Sequence, residues 1–303
     1  MSAFQAGGMS DSVKGILLMI TGSAIITLND TVTKFLANSG VPIGQLMFIR
    51  GCFAILLVAL LMIRLFGRES LRVNDWRGQL ARGFLFWLAA FIYNYALALL
   101  PLATAISLSF VAPLFVTALA VPMLGERVGW RRWTAVLVGF GGMLIMVRPD
   151  GSNIVLAYAM LPVIAAFIGA VRDIITRKIS ATETSASILM VTTVIVTLTS
   201  LPTAAVTPWI IPTPMQGGLM LLAACCMVLA HYMVIESLRL AEAGLVVPFK
   251  YTQLIWGAVI GFVIWGYMPD LWHWVGAGVV IASGIFIFYR EAQLARGIKR
   301  GAR

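Results

Sequence analysis

The chain has 303 residues, of which 60% are hydrophobic and only 11% charged, and its mean hydropathy is +0.95. Water-soluble domains carry roughly 45–50% apolar and about 25% charged residues, so a soluble globule is excluded, and apolar runs of about 20 residues, each able to cross a bilayer, leave no room for a separate soluble domain. A formal net charge of +10 would suit nucleic acid, but the basic residues sit in short segments between apolar runs, a topology signal that speaks against that partner.

Met1 to Ser12 lack a basic n-region and no A-x-A site follows the first apolar run, so that run reads as a permanent helix and not a cleaved signal. In chain order the expected membrane helices cover 14–36, 42–66, 78–98, 103–124, 129–147, 153–177, 185–206, 215–238, 243–265 and 271–289. A membrane barrel would show alternating polarity in place of continuous apolar runs, and helices are the other structure that satisfies its own peptide groups in lipid. The expected fold class is an all-α membrane protein with ten transmembrane helices.

Lys and Arg fix the orientation. With a cytoplasmic N-terminus, Lys14, Arg64, Arg68, Arg72, Arg77, Arg82, Arg127, Arg131, Arg132, Arg172, Arg177, Lys178, Arg239, Arg290, Arg296, Lys299, Arg300 and Arg303 fall on the inner side and Arg148 alone on the outer. Both termini are therefore expected in the cytoplasm. Trp76, Trp130 and Trp133 mark the inner interface and Trp209, Trp265, Trp272 and Trp274 the outer. Cys52, Cys225 and Cys226 fall in apolar runs without CxxC spacing and read as small buried hydrophobes.

The second half repeats the first at an offset of about 140 residues. Leu99 to Met146 and Leu238 to Phe286 each hold a helix with a proline (Pro113; Pro248) and a Gly-containing loop (Leu124-Gly125-Glu126; Trp265-Gly266-Tyr267). Each then ends in a Gly-rich helix (Gly139, Gly141, Gly142; Gly276, Gly278, Gly284). The halves are 1–150, with helices 1–5, and 151–303, with helices 6–10 and a short basic tail. Five helices per half is odd, so the second half is expected upside down relative to the first, a plan of secondary transporters with the solute site near the midplane.

The stretch from Leu99-Leu100-Pro101-Leu102-Ala103-Thr104-Ala105 through Pro113-Leu114-Phe115 to Leu124-Gly125-Glu126-Arg127-Val128 resembles the drug/metabolite transporter superfamily, specifically its EamA-type ten-helix members. So do Pro248-Phe249-Lys250-Tyr251-Thr252-Gln253-Leu254 and Asn29-Asp30 with Lys34. The chain looks most like the branch of S-adenosylmethionine-uptake-like and RibN-type riboflavin transporters, although Gly266-Tyr267 replaces the Gly-Glu frequent there. The resemblance implies a solute carrier, not an enzyme, working by alternating access without cofactor or metal in a bacterial inner membrane. The chain also lacks the phosphate loop GxxxxGK[ST] of ATP-driven pumps. Riboflavin uptake is the most specific reading. S-adenosylmethionine uptake and export of amino acids or other metabolites are the alternatives, with a lipid flippase or membrane scaffold outside the carrier class.

Charged groups within membrane helices mark function. Asp30 and Lys34 share a face of helix 1, Arg50 lies about 12 Å into helix 2 at 1.5 Å per residue, and Lys250 lies at similar depth in helix 9. Arg50 and Lys250 read as lining a central cavity. Asp30 reads as a cavity group, a proton-coupling site, or the partner of Lys34 or Arg50 in an ion pair. Asn94, Tyr95, Tyr251, Gln253 and Trp256 complete the candidate solute site, and Trp87, Tyr93 and Tyr95 with Tyr251 and Trp256 would stack on a flat ring. Ser107, Ser109 and Tyr232 read as helix-packing groups, and His231 as hydrogen-bonded. Pro113 and Pro248 read as gating kinks or static bends, and the Gly-rich helices as scaffold or a homodimer face. The partners expected are a small-molecule solute and the lipid bilayer.

Overall fold

The computed structural model describes residues 11–124, 130–147, 153–179, 182–240 and 247–301. Expectations that fall on Met1–Ser10, on Gly125-Glu126-Arg127-Val128, on Arg148 and on 243–246 lie outside the described residues. All regular structure among the described residues is helical: α1 Asp11–Asn38, α2 Ile43–Phe66, α3 Trp76–Leu99, α4 Leu102–Ser109, α5 Ala112–Leu124, α6 Trp130–Val147, α7 Asn153–Ile179, α8 Ser185–Ser200, α9 Pro214–Leu240, α10 Thr252–Trp265 and α11 Leu271–Gly301. Short 3-10 turns cover Arg68–Leu71, Leu201–Ala205 and Val247–Tyr251. Six helices (α1, α2, α3, α7, α8, α9) are long and apolar enough to cross a membrane, and shorter apolar helices cover Leu102–Val116, Trp133–Ile145, Phe249–Trp265 and Leu271–Phe286. Large apolar side chains such as Leu56, Leu60, Leu137 and Val263 point outward, and so do Cys52 and Cys225, contrary to the expected burial of the cysteines.

The expected fourth helix is two helices. A proline ring clashes with the carbonyl four residues earlier, which for Pro113 is that of Ser109, and α4 ends at that residue. The chain turns at Phe110, whose N–H donates to Ser107 at 3.1 Å, and restarts as α5, where Pro113 occupies the first turn that tolerates it. In the ninth span Pro248 lies in the 3-10 turn Val247–Tyr251, from which α10 continues. Both prolines thus sit at breaks and not inside continuous helices. The tenth helix does not stop at 289 but runs on to Gly301 through the expected tail. α10 closes on Gly266, which has a positive φ of 67° and donates to Phe262 at 2.9 Å, a left-handed cap that glycine adopts without strain.

Helix pairs between the halves exchange. α1 packs on α9 as α3 packs on α7, α2 on α9 as α3 on α8, and α5 on α7 as α1 on α10, while α2·α8, α4·α10 and α6·α11 are their own counterparts. Glycines permit the α6·α11 contact: a Cβ on Gly142 would stand 2.9 Å from the Gly276 carbonyl and from Val279. Gly139 likewise admits Leu114, whereas Gly141 and Gly278 face open space.

Loops from the two halves are stitched at both ends of the bundle. At the end where α1 begins, Glu183 Oε1 accepts from the N–H groups of Asn74 and Asp75 at 2.6 Å each, and its Oε2 accepts from Gln79 Nε2 at 3.0 Å and Ser187 Oγ at 2.6 Å. Asp75 and Thr184 cap α3 and α8 on either side of this stitch. At the opposite end Gln45 exchanges two hydrogen bonds with the backbone of Ile210, and Gln216 Nε2 reaches Ser39 Oγ at 3.5 Å. Burial opposes the Glu183 charge, but the bonds from Ser187, Asp75, Gln79 and Asn74 outweigh it and hold its carboxyl below the ordinary range.

Two outcomes follow from these contacts. Gly142→Leu forces a side chain against the Gly276 carbonyl and Val279, and overpacking of this kind costs about 1–3 kcal/mol, to be read as a lower melting temperature in detergent, whereas Gly141→Leu leaves it unchanged. A depressed folded-state pKa contributes stability above the unfolded value of about 4.3 and loses it as pH falls further through the folded value. Glu183→Gln should therefore melt lower at neutral pH and show less additional loss on acidification below about pH 4.

Candidate functional site

Charged side chains gather in two layers, the first buried and the second partly exposed. The first comes from the first half. Asp30 on α1 is buried, accepting from Tyr93 OH on α3 at 3.2 Å and from Asn29 Nδ2 at 3.3 Å. Arg50 on α2, also buried, donates to Asn29 Oδ1 and Thr33 Oγ1 at 3.5 Å each and lies within electrostatic reach of Asp30.

Lys34 does not join this layer. Its Nζ donates to the carbonyls of Leu97 and Leu100 at 2.7 Å each and stands 5.5 Å from the centre of the Trp265 ring. The last carbonyls of a helix have no intrahelical donor, and the ammonium caps α3 where those groups are exposed and the dipole is negative. The expected Asp30–Lys34 pair is corrected accordingly: the carbonyls at the end of α3 take the lysine, and Tyr93 and Asn29 take the aspartate.

The second layer comes mainly from the second half, joined by Arg82 of α3. On α7, Arg172 donates through Nε and Nη2 to the same oxygen, Asp173 Oδ1, at 2.8 and 2.6 Å, and its guanidinium lies 5.2 Å from the centre of the Phe86 ring. Arg82 on α3 donates to Thr176 Oγ1 at 2.7 Å and also to Thr192 Oγ1. Lys250, in the 3-10 turn, is exposed and lies within electrostatic reach of Asp173 and Arg172. His231 on α9 lies between the layers, within reach of Arg50, Arg172 and Lys250, with its Nδ1 2.7 Å from the Met227 carbonyl.

The two broken spans meet at their breaks. Tyr251 packs edge-on against Phe110, ring centroids 5.0 Å apart, and its buried hydroxyl has no hydrogen-bond partner where it touches Gly284. The other expected site residues scatter. Asn94 is buried with its Nδ2 unpartnered, and Gln253 is buried on α10. Tyr95 and Trp256 point outward with 49% and 36% of their surface exposed, and Trp87 bonds Ser200 and packs among Phe84 and Phe91. The expected ring of stacking aromatics is not assembled. Pro113 and Pro248 lie at the breaks, and their side chains are outside the described residues.

The sequence reading passed over Arg172 and Asp173, counting the arginine only as a topology signal. A finer repeat would have found them. Leu28-Asn29-Asp30-Thr31-Val32-Thr33-Lys34 aligns with Val171-Arg172-Asp173-Ile174-Ile175-Thr176-Arg177, so Asp173 is the second-half counterpart of Asp30. Thr33 and Thr176 also play matching parts, each accepting from an arginine of another helix.

A many-helix membrane protein with charged side chains buried within its spans has the plan of a transporter. The model of the EamA-like transporter family matches residues 13–148 and again 156–289, and the chain belongs to that family. It is a membrane transporter of small metabolites and not an enzyme. It is 28% identical to an S-adenosylmethionine uptake transporter of Rickettsia bellii over 91% of this chain and 92% of that protein. It is also 28% identical to a riboflavin transporter of Vibrio cholerae, over 94% and 96%, and 25% identical to a pseudopaline exporter of Pseudomonas aeruginosa, over 93% and 96%. A solved crystal structure superposes with a TM-score of 0.64 at 15% identity over 90% of this chain and 95% of that one, a likeness of fold.

The coupling within the first layer is open to a double-mutant cycle. Asp30→Asn and Arg50→Met should each lower the melting temperature in detergent. The double variant should lose less than the sum, with an interaction of roughly 0.5–3 kcal/mol for groups in one network.

Proposed function

We propose that the chain is a secondary carrier that takes up a small organic metabolite across a bacterial inner membrane by alternating access to the space between the charged layers. The observation that carries this reading is the burial of Asp30, Lys34 and Arg50 inside a bundle with large apolar side chains on its outer face. Halves near 1–150 and 151–303, inserted in opposite senses, are supported by the exchange of helix pairs and by the odd number of spans in each half. Cytoplasmic termini are supported by the distribution of Lys and Arg.

Riboflavin is the first specific candidate, supported by sequence likeness to riboflavin transporters. S-adenosylmethionine is the second, supported by equal likeness to its uptake transporters and by an interior that is charged where a flat neutral ring would want stacking aromatics.

The test is uptake of labelled riboflavin and, in parallel, labelled S-adenosylmethionine into a bacterium that neither makes nor imports the solute offered. Saturable uptake of one, suppressed by the same solute unlabelled, identifies it. Arg50→Ala should lower that uptake on the order of tenfold, the scale of one charged hydrogen bond, without lowering the amount of protein in the membrane. Uptake of neither by a correctly inserted protein would remove both solutes.

A further inference from the structure

Of the three buried charges, Arg50 is the one left short. Only 6% of its surface is exposed, as little as Asp30 at 7% and Lys34 at 7%. Lys34 makes two bonds of 2.7 Å, and both oxygens of Asp30 have donors. Arg50 makes two bonds of 3.5 Å from Nη1, to Asn29 Oδ1 and Thr33 Oγ1, and has no further hydrogen bond and no ion pair among the described residues. Asp30 is not its direct partner. The Asn29 amide stands between them, accepting from the guanidinium and donating to the carboxylate. A buried cation with most of its N–H groups unspent is costly unless something brought in supplies the anion.

The unspent nitrogens are Nε and Nη2, which share one edge of the planar guanidinium and point their N–H bonds the same way. Asn29 and Thr33, one turn apart on α1, hold the third nitrogen and so set which way that edge faces. Side-chain atoms that protein seals off without a partner occur among the described residues: Ser23 Oγ, Gln79 Oε1, Asn94 Nδ2, Trp209 Nε1 and Tyr251 OH. Neither Nε nor Nη2 of Arg50 is one of them, so the free edge borders open space and not packed protein.

We propose that the Nε–Nη2 edge of Arg50 is the subsite for a carboxylate of the solute, bound side-on through two parallel hydrogen bonds. A carboxylate presents two oxygens in one plane at the spacing of those N–H groups, and it brings the charge that the site lacks. Asn29 and Thr33 are positioning residues, which aim the fork through Nη1. The assignment rests on the carrier reading above and narrows its solute to an acid. A neutral ring would leave the fork empty.

The test measures binding to the full chain in nanodiscs with three probes: S-adenosylmethionine, its decarboxylated form, which lacks only the carboxylate, and riboflavin, which has none. S-adenosylmethionine should bind more tightly than its decarboxylated form by on the order of tenfold or more, the scale of one charge-assisted contact. Arg50→Met should abolish that preference and leave the decarboxylated form bound as before, which also shows that the variant is folded. Arg50→Lys, which keeps the charge and loses the fork, should retain only part of the preference. Equal weakening of both adenosyl probes by Arg50→Met would mean a structural role and overturn the subsite. So would equal binding of the two by the native protein, no binding of S-adenosylmethionine, or riboflavin binding that Arg50→Met removes. An Arg50-dependent preference for the acid without uptake of any solute would leave the subsite standing and remove the carrier reading instead.

Discussion

A bilayer offers no water to an unpaired peptide group, and that constraint shapes how the helices break and end among the described residues. The fourth span breaks at Phe110 and the ninth begins in the 3-10 turn Val247–Tyr251. Irregular backbone at membrane depth persists where protein covers it or where it lines a cavity. Here each break covers the other, through Phe110 and Tyr251. The same demand explains Lys34, which an ion-pair argument would hand to Asp30. Two carbonyls at the end of α3 need donors, and an ammonium one helix away supplies both.

The charges are divided by origin. The first half supplies a buried layer in which hydrogen bonds join Asp30, Tyr93, Asn29 and Arg50. The second layer is more open: Arg172 holds one oxygen of Asp173, and the aspartate keeps about half of its side chain, 49%, exposed. The stitches at the two ends of the bundle belong to the same logic, since each ties a loop of one half to a loop or helix start of the other.

Much of the architecture was legible in the sequence because lipid imposes length and hydropathy on each span directly. The helical class, the position of most spans and the duplicated family pattern follow from those runs. The break at Ser109 was only half legible: Pro113 announced a disturbance, but where a helix gives way depends on the carbonyl four residues earlier. Side-chain partners were less legible. Tyr95 stands next to Asn94 in sequence, yet one residue is 100° around a helix, and the tyrosine faces outward while the asparagine is buried. Trp87 looked like a stacking surface and serves as packing between α3 and α8. Arg172 was hidden by the rule that explains most arginines in such chains, and only its alignment with Asn29 separates it from them.

The final helix is longer than a bilayer requires. Its apolar part ends at Phe286, and the helix continues to Gly301. The whole helix of 31 residues reaches about 46 Å at 1.5 Å per residue, roughly 16 Å more than a hydrocarbon core of about 30 Å. The helix therefore projects past the lipid as far as Gly301. A fluorescent label on that projecting stretch stands clear of the hydrocarbon, so fluorescence transfer to a labelled bilayer becomes a ruler for the helix itself.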